Sequence, residues 1–224
     1  MDESIYIFFV ILKDIIYFTT FLFSLRLITN NNIPNYMRGF YWYPTVAIIM
    51  LVIYIFEYYL HIIQKNLYQN INLLSLLFHY SFLGLFILKV MSKRKKIEII
   101  NIFFWLFLPI ITFFIITDIF YHTFLSFAVA NFGLIILCIS YYYQLFKTTP
   151  SLNLLKDPSF WIITGILFGM STTIPVSIIG GYLFHNIPRD IFLSVAVIMP
   201  LGYGVMHLFF LKAILCSIRR QKVL

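Results

Sequence analysis

The sequence predicts an all-α, polytopic membrane protein: one seven-helix transmembrane bundle over residues 1–224, N-terminus outside and C-terminus cytoplasmic. Three observations predict it. First, the 224 residues are 62% hydrophobic and only 11% charged. A soluble domain carries about 25% charged residues, so this chain has too few to cover a water-facing surface. Second, seven continuously apolar runs each approach the ~20 residues that a helix needs to cross the hydrocarbon core. None alternates in polarity as barrel strands do. Third, Lys and Arg collect on one side of these runs, as they do in cytoplasmic loops.

In chain order the predicted spans are 5–28, 39–63, 71–91, 97–117, 124–146, 160–183 and 191–211. Asn30 to Asn35, with Pro34, separates the first two. Gln64 to Asn70 and Ser92 to Lys96 form the next links, and Asp118 to Thr123 is a tight one. Thr149-Pro150 and Asp157-Pro158 punctuate the fifth link, and Asn186 to Asp190 makes the last. No link is long enough for a soluble domain. Of the 16 Lys and Arg, Lys13 lies inside the first span and only Lys65 and Arg189 fall on the predicted outer side. A missed or spurious span would scramble that segregation. The net charge of +8 is therefore read as topology. The lipid bilayer is the expected partner, in a bacterial inner (cytoplasmic) membrane, and no nucleic acid is expected.

The chain opens Met1-Asp2-Glu3, with no basic segment ahead of the first apolar run, so a cleavable leader is not expected. Cys138 within a span and Cys216 at a cytoplasmic end are not placed for a disulfide.

Charges inside a bilayer cost about 2.5–3.5 kcal/mol each on insertion scales, so each calls for a reason. Lys13 and Asp14 cannot be moved out of the first span without leaving it too short. Adjacent helical residues project about 100° apart, so these two are not expected to form an ideal pair, and at least one should meet another helix. Glu57-x-x-x-His61 and Asp118-x-x-x-His122 place carboxylate and imidazole on one helix face. With His79 they concentrate in the predicted outer half, whereas His207 stands nearer the cytoplasm. Lys13, Asp14, Glu57, His61, His79, Asp118 and His122 are thus candidates for sensing a ligand or protons, and His61 and His122 are candidate metal ligands. Lys93, Arg94, Lys95 and Lys96 form a basic loop suited to a cytoplasmic partner. Gly165-x-x-x-Gly169 favours close helix approach, and Pro109, Pro175 and Pro200 are expected to kink their spans.

The sequence predicts no catalytic residue. The two-histidine zinc-protease motif and nucleotide-binding loops are absent. Retinal proteins need a lysine deep in the last helix, but Lys212 lies near its cytoplasmic end. Bound retinal is not expected, nor is another cofactor.

The segment Tyr141-Tyr142-Tyr143-Gln144-Leu145-Phe146-Lys147, followed by Asn153-Leu154-Leu155-Lys156-Asp157-Pro158-Ser159-Phe160-Trp161-Ile162, resembles a mark of uncharacterised bacterial seven-span membrane proteins of about this length. Members of that family are often encoded beside cytoplasmic histidine kinases. The resemblance implies a membrane sensor or accessory protein that works with a kinase. It supplies no catalytic residue. Size and orientation are also similar to the seven-helix PQ-loop sugar exporters, whose Pro-Gln pair is absent here. The leading expectation is a non-enzymatic sensor that receives a signal in its outer half. A small-solute or ion transporter, or a structural subunit of a membrane complex, are the alternatives.

Overall fold

The computed structural model describes the backbone of residues 3–29, 33, 35–60, 65–91, 98–121, 125–148 and 154–219, and most of their side chains. Every regular element among them is helical: α1 (Glu3–Thr29), α2 (Asn35–Phe40), α3 (Trp42–Leu60), α4 (Lys65–Met91), α5 (Glu98–Tyr121), α6 (Leu125–Thr148), α7 (Pro158–Asn186), α8 (Arg189–Ala196) and α9 (Ile198–Arg219). A 3-10 turn, Leu154–Lys156, precedes α7. Six described stretches are long and apolar enough to cross a membrane: Ser4–Ile28, Tyr36–Ile53, Glu98–Asp118, Leu125–Lys147, Pro158–Ile179 and Arg189–Ile218. Ser75–Met91, the described part of α4, is a shorter apolar helix.

The exposed faces fit an apolar solvent. Phe8, Ile15 and Phe18 of α1 and Ile99, Leu106 and Phe113 of α5 are each more than half exposed. In water those positions would carry the polar stripe of an amphipathic helix. The buried layer runs through Leu83, Ile87 and Met91 of α4, Phe104 and Ile111 of α5, Leu134 and Leu137 of α6, Ile162 and Ile166 of α7, and Phe210 and Ile214 of α9.

The most extensive pairing is α7 with α9, followed by α6 with α7 and α1 with α9. The glycine spacing in α7 explains the first. A Cβ on Gly165 would come within 2.8 Å of Phe209 Cβ and 3.0 Å of the Met206 carbonyl oxygen, and one on Gly169 within 3.0 Å of Met206 Cβ. Only hydrogen at these two positions lets the backbones close to this distance. On the other flank, α5 packs against α4 and α6.

Two predicted spans are each divided. The span read as 39–63 becomes α2 and α3 with a turn at Tyr41, and the span read as 191–211 becomes α8 and α9 with a turn at Val197. The cause is the same in both. Pro44 and Pro200 stand three residues beyond the turns and have no N–H to give the carbonyl four residues back. Those carbonyls belong to Phe40 and Ala196, the last residues of α2 and α8. The adjacent bonds persist, from Thr45 N–H to Tyr41 O (3.4 Å) and from Leu201 N–H to Val197 O (3.2 Å), so helical bonding resumes directly after each turn. Pro109 and Pro175 lie inside their helices. Both are exposed, and α5 and α7 remain continuous helices around them.

The link that carries the family resemblance is a compact helix start. Asp157 Oδ1 accepts the Ser159 N–H at 3.0 Å, and Pro158 opens α7, where its missing N–H removes no helical bond. Trp161 Nε1–H donates to Leu155 O at 2.9 Å, tying the helix back to the 3-10 turn. Ser159 Oγ donates to Tyr36 Oη (3.3 Å), and the Lys212 ammonium lies 5.7 Å from the Trp161 ring centre. These contacts gather the ends of α2, α7 and α9 at one end of the bundle, opposite the N-terminus of α1. Arg26 and Lys147 close α1 and α6 with positive charge in their last turns, which suits the helix dipole.

Candidate ligand-binding cavity

In the half of the bundle nearest the N-terminus of α1, a cavity of about 400 Å³ opens between α1, α3, α4, α6, α7 and α9. Helical periodicity builds its walls. From α1 come Tyr6, Val10, Lys13, Asp14 and Tyr17, and from α6 Phe127, Ala130, Asn131 and Leu134. Apart from the adjacent pairs Lys13–Asp14 and Ala130–Asn131, both sets recur every three or four residues, the spacing of one helix face. Ser75, Leu76, His79 and Tyr80 line it from α4, and Met199, Pro200 and Tyr203 from α9. Ala47, Met50 and Leu51 of α3 and Met170 of α7 complete an apolar part of the wall.

The charged feature is Lys13 with Asp14. Lys13 Nζ and Asp14 Oδ1 are 3.1 Å apart, and both side chains are only about a fifth exposed. Adjacent helical residues project about 100° apart, and the four-carbon lysine stem spans that gap. The approach lacks hydrogen-bond alignment, and Asp14 Oδ1 accepts no hydrogen bond among the described residues. The approach is an ion pair. The Lys13 ammonium also lies 5.4 Å from the Tyr17 ring centre, a cation–π distance.

His79 enters the wall with a fixed orientation. Its Nδ1 is 2.7 Å from Ser75 O. A carbonyl only accepts, so Nδ1 carries the proton and the neutral ring leaves Nε2 as an acceptor. Across the cavity, Asn131 Nδ2 donates to Thr173 Oγ1 at 2.9 Å, a buried polar bond that joins α6 to α7, and Tyr203 of α9 lines the same cavity. Thr173 passes its own proton to Gly169 O (3.0 Å), which satisfies a hydroxyl that apolar surroundings would otherwise penalise.

Beneath the cavity lies an aromatic floor. The His207 ring stacks on Tyr17 with centroids 3.7 Å apart and planes at 28°. Tyr43 sits 5.7 Å from His207 and 5.2 Å from His79, bridging the two histidines. Phe210 contacts Tyr43 edge-on at 5.5 Å and Phe40 at 5.0 Å. Phe40, Tyr43, His207 and Phe210 are fully buried or within a percent of it. The Tyr43 hydroxyl and both nitrogens of His207 have no hydrogen-bond partner among the described residues.

Of the sequence-predicted candidates, Lys13, Asp14 and His79 thus converge on the cavity. Asp118 does not. It is fully buried, and its Oδ2 accepts the Ser126 N–H at 2.9 Å, so the carboxylate of α5 caps the first turn of α6. Glu57 lies in α3, but its side chain is outside the described residues, as are His61, His122 and the loop Lys93, Arg94, Lys95 and Lys96. Among the described residues no group of three or more His, Cys, Asp or Glu could hold a metal ion. Cys138 and Cys216 are both free thiols.

Sequence reasoning passed over Tyr17, Asn131, Thr173, Tyr203 and the position of His207. A signal was available. Lys13 and Tyr17, and Tyr203 and His207, are i, i+4 pairs, each on one face of an apolar helix, and Asn131 is an amide deep in a span. No protein-family model, curated protein or solved structure matches the chain.

Proposed function

We propose that the chain is a non-enzymatic, multi-pass sensor of the cell membrane, with the N-terminus of α1 outside. It takes a small polar ligand into the cavity and passes its occupancy to a cytoplasmic signalling partner such as a histidine kinase. The observation that carries the reading is a polar cavity closed beneath by packed aromatic rings. A receptor needs a pocket on one side, whereas a channel needs a continuous polar path onward through the bundle. Phe40, Tyr43, His207 and Phe210 fill that path with rings.

A route from cavity to the opposite end exists within one element. Helix α9 contributes Pro200 and Tyr203 to the wall, His207 and Phe210 to the floor, and exposed Lys212 at the basic end. A ligand that shifts the Tyr203 end of this helix shifts the other end with it. The basic loop at Lys93 to Lys96, which lies outside the described residues, gives a cytoplasmic partner an electropositive docking point, and the resemblance of the α6–α7 link agrees with a kinase there.

The competing reading is a small-solute carrier. Pro200, at the break between α8 and α9 and in the cavity wall, favours it, because transporter sites are built where spanning helices are interrupted. Two measurements separate them. Cross-linking of the tagged full chain in native membranes is expected to recover a protein with a histidine-kinase catalytic domain. Ala130→Phe, which fills the cavity, is expected to change that kinase's autophosphorylation. Proteoliposomes that accumulate solute, with no signalling protein recovered from membranes, would overturn the sensor reading.

A further inference from the structure

We infer that the cavity takes a small zwitterion carrying a primary ammonium and a carboxylate beside an apolar group, the chemistry of a free hydrophobic amino acid. This rests on reading the cavity as a ligand site and adds the ligand class. Three observations carry it.

The first is charge balance. Lys13 and Asp14 neutralise each other at 3.1 Å, with about four-fifths of each side chain buried. A simple anion drawn to Lys13 would separate the pair and leave a buried carboxylate uncompensated, and a simple cation drawn to Asp14 would do the same to the ammonium. A zwitterion offers each group a new partner at once, so the pair opens without stranding either charge.

The second is hydrogen-bond demand. Asp14 Oδ1 is buried and accepts no hydrogen bond among the described residues, and Asp14 lines the cavity. A ligand ammonium with N–H donors answers it. A quaternary ammonium has none to give. The Lys13 ammonium brings three donors, which suits a carboxylate.

The third is size and lining. About 400 Å³ falls at the small end of the ~300–1,000 Å³ range of ligand pockets, a metabolite-sized space. Away from the charges, Met50, Leu51, Leu76, Leu134 and Met170 present an apolar surface. It would accept a branched or thioether side chain.

The test uses the full chain in detergent. Thermal unfolding followed by tryptophan fluorescence is combined with equilibrium binding of labelled leucine and of a pool of the common L-amino acids. Isoamylamine and isocaproate serve as controls, each keeping the leucine-like apolar group with one of the two charges. The expected result is a saturable rise in unfolding midpoint with the amino acids and little with either control. Asp14→Asn and Lys13→Met should each weaken amino-acid binding about 10- to 100-fold, the loss expected for one charged hydrogen bond. Should a single variant fold poorly, Lys13→Met/Asp14→Asn removes both charges together and must still lose binding. Equal stabilisation by isoamylamine or isocaproate overturns the zwitterion inference and leaves the ligand-site reading standing. If no probe binds, and Ala130→Phe leaves kinase coupling unchanged, the ligand-site reading fails and the inference with it.

Discussion

His207 is a polar ring held where no hydrogen bond reaches it. It is fully buried, both nitrogens lack partners among the described residues, and its contacts are the faces and edges of Tyr17, Tyr43 and Phe210. Stacking holds the ring in place, and none of the described residues satisfies its polarity. An unmet buried donor or acceptor costs about 1–3 kcal/mol, which an apolar ring of similar shape would not incur. His207→Phe is therefore expected to raise the unfolding midpoint of the purified protein, or at least leave it unchanged. A loss of more than about 1 kcal/mol in that measurement would show that the imidazole has polar contacts the ring geometry does not reveal. Asp118 shows the opposite case. It is a sensing candidate because a charge in a span demands a reason, and the Ser126 N–H at 2.9 Å supplies one. Spacing relative to His122 was legible in the sequence. The partner eight residues away was not, because it depends on how α5 turns into α6.

Two prolines and two glycines shape the elements. Pro44 and Pro200 divide apolar runs that hydropathy reads as continuous, since a run of apolar residues carries no information about which carbonyl has lost its N–H. Proline position does carry it, and the turn falls three residues before the ring in both cases. Glycines differ by surroundings. A Cβ on Gly165 meets the Met206 carbonyl oxygen at 3.0 Å, a backbone atom that cannot step aside, whereas nothing lies within 4 Å of one on Gly39. Gly165→Ala is expected to destabilise by about 1–3 kcal/mol through overpacking of α7 on α9. Gly39→Ala, in α2, should be neutral or stabilise by up to about 1 kcal/mol through helix propensity. Parallel thermal melts check the pair, and equal effects would mean that α7 and α9 do not pack at their glycines. The cavity was only half legible at this scale. Lys13, Asp14 and His79 stand out in any apolar sequence, but Tyr17, Asn131 and Tyr203 look like ordinary span residues until their helices are rotated to face one another.

At the scale of the molecule, composition determines solvent and charge determines direction. The 62% hydrophobic content leaves long apolar faces on α1 and α5 that fit lipid, and this much of the architecture was readable before any coordinates. Sidedness comes from a different physical source, the preference of Lys and Arg for the cytoplasm. The structure gathers Lys156, Arg38 and Lys212 with the linked ends of α2, α7 and α9, and places the cavity in the other half. Orientation therefore decides which compartment the cavity samples. In a Cys138→Ser/Cys216→Ser background, a cysteine placed at Asp190, which is exposed, should react with a membrane-impermeant maleimide in intact cells. One placed at exposed Lys156 should react only after the membrane is opened. The reverse pattern would put the cavity on the cytoplasmic side, turning a sensor of the outside into a sensor of the cell's own metabolites. Labelling at both positions in intact cells would mean that an odd number of spans does not separate them, and the seven-span count would fall.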